Sequence, residues 1–298
     1  IEKIILENEK LKKFHPLHDA LDTFLFSTNK QTDKAPYVRD SIDLKRTMIM
    51  VVLALLPAFF FGTYNVGLQS PEVIDKTLLN CFMYGLEIVL PMYLIVFAVG
   101  GLFEALFAVV RGHEINEGFL VTGLLIPLVM PPTIPLWMVA LATTFGIVIG
   151  KEIFGGTGYN IFNPALVARA FIFFAYPGFI SGEKVWTVDS LSQATPLLQA
   201  SSMQGEEALD LLSNNFSWHD MFYGFIPGSI GETSVIAILI GAFFLIVTGI
   251  GSWRIMLGTM FGMIATALLT NYFANSVSSH NPMLYLPPHY HFVMGGFA

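Results

Sequence analysis

Residues 119–135 read FLVTGLLIPLVMPPTIP, an apolar run of twelve residues closed by Pro131, Pro132 and Pro135. As a helix, residues 119–130 cover about 18 Å of a hydrocarbon core about 30 Å thick, and the prolines forbid continuation. The run is apolar enough for a membrane and too short to cross one. A second such piece, PALVARAFIFFAY at residues 164–176, follows the glycine-rich GGTGYNIFN of residues 155–163. Two shortened, Gly/Pro-interrupted segments in one chain predict discontinuous helices lining a site.

Longer apolar runs surround these pieces at residues 47–64, 86–110, 136–150, 234–251 and 255–273, and residues 284–298 read as the start of another half-helix. With 54% hydrophobic and 12% charged residues in 298, a water-soluble fold would leave too much apolar surface exposed. The expected fold is therefore an all-α polytopic membrane protein: a transmembrane helix bundle with discontinuous half-helices and a long polar N-terminal segment. Four parts are expected: a cytoplasmic segment at 1–46, a first bundle at 47–176, a periplasmic loop at 177–231 and a second bundle at 232–298. Nine of the 15 basic residues, from Lys3 to Arg46, precede the first run, which places the N-terminus in the cytoplasm. The loop at 177–231 is acidic, with Lys184 its only lysine or arginine, and falls on the opposite side.

Those first 46 residues are polar and charged, unlike a signal peptide. Ile1 and the closing HFVMGGFA read as the limits of a longer protein. No basic stripe with interleaved aromatics appears beyond the N-terminal flank, so nucleic acid is not an expected partner. Cys81 is the single cysteine, which excludes an internal disulfide and a self-contained Cys-ligated iron–sulfur cluster.

Three clusters carry candidate chemistry. In VDSLSQATPL, residues 188–197, Thr195 follows Asp189, Ser192 and Ala194, a frame that presents a threonine hydroxyl to FMN for a phosphoester bond. In GGTGYNIFNPA, Gly155, Gly156 and Gly158 let backbone approach a flat ligand, while Asn163 and Pro164 have N-cap and N1 chemistry. A helix start flanked by the Asn160 and Asn163 amides suits the anionic pyrimidine side of a reduced flavin, although a broken helix entering a transporter-like core uses the same residues. In the second long run, Gly100 and Gly101 precede Glu104 by four and three residues on one helix face. They form a slot for a flat head group beside a carboxylate, with Phe119 available to stack on a quinone ring; a small-residue packing face is the alternative. Arg169 suits either a phosphate or carboxylate partner or a buried backbone carbonyl. His289 and His291 have no acid or cysteine at ligand spacing, and no metal site is expected.

The strings VRDSIDLKRTMIMVVLALLPA, FAVGGLFEALFAVVRGHEINEGFLVTGLLIPLVMPPTIPLW, GKEIFGGTGYNIFNPALVARAFIFFAYP and IPGSIGETS resemble the B-type subunit of the Na⁺-translocating NADH:quinone oxidoreductases (NQR), a relative of the D-type subunit of the Rnf complexes. The resemblance runs from about Pro36 to the last residue. It implies a bacterial inner-membrane subunit with FMN esterified to Thr195 by a flavin transferase. It further implies a riboflavin near Asn160, Asn163, Gly155 and Gly156, and entry of ubiquinone or menaquinone and Na⁺ at Gly100, Gly101, Glu104 and Phe119. Partner subunits of the same complex are implied as well. Where the family's flavinylation string has Gly, this chain has Gln193. An Rnf-type ferredoxin:NAD oxidoreductase subunit and a transporter with the broken-helix core of urea channels are the two other readings.

Overall fold

The computed structural model describes residues 44–112, 118–180, 187–188, 191–192, 195–202, 214–277 and 281–294. Nearly all of the N-terminal segment, together with Asp189, Gln193 and Ala194, lies outside the described residues. Among the described residues ten α-helices of six residues or more follow in order, with one further helical turn, Pro177–Ile180, directly after the fifth: α1 (Leu44–Gln69), α2 (Leu78–Arg111), α3 (Gly118–Leu128), α4 (Leu136–Val148), α5 (Pro164–Ala175), α6 (Pro196–Ser202), α7 (Trp218–Tyr223), α8 (Val235–Val247), α9 (Trp253–Val277) and α10 (Pro288–Val293). A two-residue antiparallel pair, β1 (Thr187–Val188) with β2 (Leu191–Ser192), stands before α6. The chain is an all-α polytopic membrane protein. Among the described residues, four helical segments are long and apolar enough to cross a bilayer: Arg46–Gln69, Leu78–Arg111, Leu136–Phe154 and Trp253–Ala274.

Local chemistry sets the helix ends. Thr77 caps α2 by accepting from the backbone N–H of Asn80 at 3.3 Å, and Gly112 closes it in the left-handed conformation with its N–H on the Ala108 carbonyl at 2.8 Å. At 34 residues α2 is about 51 Å long, well beyond the hydrocarbon core. By contrast α3, α5 and α8, of 11, 12 and 13 residues, reach only about 16–20 Å. The shortness of α8 differs from the expectation that residues 234–251 cross as one helix. Gly249 takes a φ of 75°, and the Gly251 N–H turns back onto the Leu245 carbonyl at 2.8 Å, so the helix stops although the sequence stays apolar.

The core forms where α2 meets the shortened helices. Val89, Met92 and Val96 of α2 bury against Ile126 of α3, Met138, Val139 and Ala142 of α4, and Ala165, Ala168 and Ile172 of α5. Along α2 the buried residues Gly85, Val89, Met92, Val96, Gly100, Glu104 and Ala108 form one stripe of three- and four-residue steps. Helix α1 packs on α2, α3 and α8. It meets α2 so closely that a Cβ on Gly85 would stand 1.8 Å from the Thr63 carbonyl oxygen, and one on Gly67 would stand 1.9 Å from that of Cys81. Glycine at these positions is what lets the two backbones touch, as membrane helix packing demands.

The chain entering α8 is irregular, and backbone groups along it find partners, while the buried Thr233 hydroxyl has none among the described residues. Asn65 of α1 donates from Nδ2 to the Ile226 carbonyl at 2.9 Å. The N–H groups of Ile230 and Gly231 donate to the carbonyls of Met130 and Leu128, at 3.1 and 2.7 Å, just where α3 ends. Two breaks thus satisfy each other, the condition for non-helical backbone at membrane depth.

Candidate functional site

Five helix termini converge at one end of the bundle. The starts of α1, α3 and α5 and the turn after α4 enclose a cavity of about 450 Å³, whose polar lining includes Thr122, Lys151, Thr157, Asn160 and Asn163. The C-terminal turn of α2 reaches the same turn after α4 through two ion pairs. Lys151 Nζ donates to Glu104 Oε1, with both side chains buried. Arg111 spans its neighbour: Nη1 donates to Glu152 Oε2 at 3.3 Å and Nη2 to the Glu152 carbonyl at 2.5 Å. The Arg111 guanidinium also lies over the Phe107 ring at 5.0 Å. Two adjacent residues of opposite charge are therefore each matched to a residue of α2. Breaking a buried ion pair by removing one of its members costs about 3–5 kcal/mol.

The loop leading into α5 is built as its sequence predicts. Asn163 Oδ1 accepts from the Ala165 N–H at 2.9 Å, and Pro164 occupies the first helical turn. The cap uses the oxygen of Asn163 and leaves its NH₂ end for another partner. Asn160 spends both ends of its amide within the loop, accepting from Gly158 N at 3.3 Å and donating to the Phe162 carbonyl at 2.8 Å. Gly155, Gly156 and Gly158 have φ of 123°, 93° and 90°, a region closed to most side chains. Gly158 lines the cavity; Gly155 and Gly156 shape the turn behind it. Thr157 Oγ1 is buried and has no hydrogen-bond partner among the described residues. Phe162 forms part of the wall, and on its other side runs an apolar groove of about 680 Å³ lined by Phe145, Phe154, Phe171 and Phe174. Around it Ile153, Tyr159, Ile161 and Phe162 are all exposed.

Gly100, Gly101, Glu104 and Phe119 come together, with a division the sequence does not reveal. The Phe119 ring already covers Gly100, where a Cβ would stand 2.5 Å from Cε2. At Gly101 the nearest atom to a Cβ is Phe119 Cε1 at 3.8 Å, so open space begins there. Among the described residues, Thr195 is not part of the lining of the cavity. Its half-buried hydroxyl accepts from the Leu198 N–H at 3.3 Å at the start of α6.

Arg169 has both partners that its sequence position allows. Its Nη1 donates to the Val129 carbonyl at the end of α3, to Ser229 Oγ at 3.0 Å and to Glu232 Oε1 and Oε2 at 3.1 and 3.0 Å. Lys151, Glu152 and Thr157 were not among the residues singled out by sequence. Lys151 reads as an ordinary basic flank of an apolar run, and 47 residues separate it from the carboxylate it meets.

Long apolar helices interleaved with three cut to about half a bilayer, with irregular backbone paired between breaks and a polar cavity at gathered helix ends, define a polytopic membrane protein built with discontinuous helices. The chain belongs to the NQR2, RnfD, RnfE family, whose model matches residues 31–298. It is 49% identical to the B-type subunit of the Na(+)-translocating NADH-quinone reductase of Chromohalobacter salexigens, covering 97% of this chain and 74% of that protein. The same subunits from Klebsiella pneumoniae and Pseudomonas aeruginosa are 47% and 46% identical, each over 97% of this chain and 77% of the relative.

Proposed function

We propose that this chain is the B-type membrane subunit of a bacterial Na⁺-translocating NADH:ubiquinone oxidoreductase, seated in the inner membrane with its N-terminus cytoplasmic. In this reading it carries electrons from FMN esterified to Thr195, through a riboflavin at the Asn160–Asn163 loop, to ubiquinone or menaquinone, and it works with the other subunits of that complex. The observation that carries the reading is the polar cavity beside buried Glu104, at the end of the bundle where basic residues gather, in a chain whose relatives bear that name.

The residues present fit the groups the family implies. At Thr195 the hydroxyl is half-buried and stands at a helix start, where backbone N–H groups favour a phosphate. At the cavity, the unpartnered Thr157 hydroxyl, the NH₂ end of Asn163 and the Lys151 ammonium offer hydrogen bonds and positive charge to a ring with polar edges. A flavin, when bound, supplies one- and two-electron carriage. The chain's own residues hold it, with Asn160 stiffening the loop and Phe162 closing the wall against the apolar groove. Glu104 offers Na⁺ a carboxylate oxygen, and the open strip beside Gly101 and Phe119 admits a flat quinone head.

The test is made on the purified complex. Thr195→Ala should abolish flavin fluorescence from this polypeptide in a denaturing gel while non-covalent flavin remains. Asn163→Leu should do the reverse, lowering extractable riboflavin and leaving the fluorescent band. Persistence of the band in the first variant, or of full riboflavin content in the second, refutes the corresponding site.

A further inference from the structure

We propose that Lys151 is a tethered cation at Glu104, occupying with its ammonium the place that Na⁺ takes, so that the ion gains this carboxylate only when Lys151 turns to the cavity it also lines. The inference rests on the reading of Glu104 as a Na⁺ ligand. Three observations carry it. Lys151 is 2% exposed, and its ammonium donates to Glu104 Oε1, so a positive charge already holds the oxygen a cation would use. The same residue borders the polar cavity, whose lining also holds Thr157, Asn160 and Asn163, so polar groups other than Glu104 lie on that side of it.

The third is that the backbone of Lys151 is fixed independently of its side chain. Its N–H donates to the Ile147 carbonyl at 3.2 Å, and its own carbonyl accepts from Phe154 and Gly156, each at 3.2 Å. The next residue, Glu152, is clamped by Arg111. The turn therefore stays in place whichever way the ammonium points. One charge is shared between two sites, which makes occupancy of the cavity by a negatively charged group and occupancy of Glu104 by Na⁺ favour each other. A ligand that draws Lys151 into the cavity takes the ammonium off the carboxylate, and by linkage an ion on the carboxylate releases Lys151 to the ligand.

Sodium NMR line broadening on the purified complex, titrated at constant ionic strength with choline as the replacement cation, reads the binding directly without turnover. Glu104→Gln should remove one component of Na⁺ binding; if it removes none, the reading of Glu104 as a Na⁺ ligand fails. Given that component, Lys151→Met should tighten it by roughly tenfold or more, because the competing charge is gone. Unchanged or weaker binding in Lys151→Met, with the Glu104-dependent component present in the parent, overturns the tethered cation and leaves the Na⁺ site standing. Should Lys151→Met not assemble, Lys151→Arg decides: a forked guanidinium grips a carboxylate more firmly than an ammonium, so Na⁺ binding should weaken several-fold, and unaltered binding overturns the proposal.

Discussion

Gly100 and Gly101 are neighbours in sequence, yet the atoms around them demand opposite outcomes from the same added methyl. At Gly100 a Cβ meets Phe119 Cε2 at 2.5 Å and Ile147 Cδ1 at 2.6 Å, so the ring must move, and overpacking of this kind costs about 1–3 kcal/mol. At Gly101 the methyl finds ordinary contact only, and replacing a helical glycine by alanine gains up to about 1 kcal/mol. Gly100→Ala should therefore lower the unfolding midpoint of the complex. Gly101→Ala should keep or raise it while weakening quinone-site inhibitors, as read from inhibitor titrations of quinone reduction. Loss of stability without loss of inhibitor affinity in Gly101→Ala would make this strip a packing face. At this scale, what the sequence discloses is what neighbours along the chain decide. The Asn163–Pro164 helix start depends on bonds spanning two residues and is legible. The Lys151–Glu104 and Arg169–Glu232 pairs join charges 47 and 63 residues apart, and no spacing rule connects them.

Helices are legible in their apolar runs and less so in their ends. The runs containing α1, α2, α4 and α9 stand out by hydropathy, and α3 is cut by prolines that any reading registers. The stop of α8 is different. Residues 248–251 carry no charge or proline, and the helix ends through a left-handed Gly249 and a returning hydrogen bond, both properties of conformation. The contact between α1 and α2 is equally hidden, because a glycine in a membrane helix reads the same whether it faces lipid or a backbone. Gly85 faces a backbone. Gly85→Ala sets its methyl against the Thr63 carbonyl, which cannot swing aside as a side chain can, so the helices must part. The expected loss is at least about 1–3 kcal/mol, visible as a lower midpoint in thermal unfolding of the complex. The same change at Gly262 of α9, with nothing within 4 Å, should leave the midpoint unaltered or higher.

Across the whole molecule, the two chain breaks that satisfy each other and the cavity at the gathered helix ends sit at different places, and Arg169 stands with the first while Lys151 stands with the second. The loop that closes the cavity has a property with kinetic consequences. Ile153, Tyr159, Ile161 and Phe162 project from it, and Phe162 separates the cavity from a groove that is wholly aromatic and aliphatic. A hydrophobic substrate reaching this end travels in the plane of the bilayer, where partitioning concentrates it far above its level in water. Its arrival is a two-dimensional diffusion problem, and the concentration that governs the rate is its mole fraction in lipid. In proteoliposomes, adding empty lipid at fixed total quinone should then lower the rate by dilution within the membrane, while enlarging the aqueous volume around the same vesicles should leave it unchanged. A rate that follows the aqueous volume instead would mean that the route to the reaction begins in water.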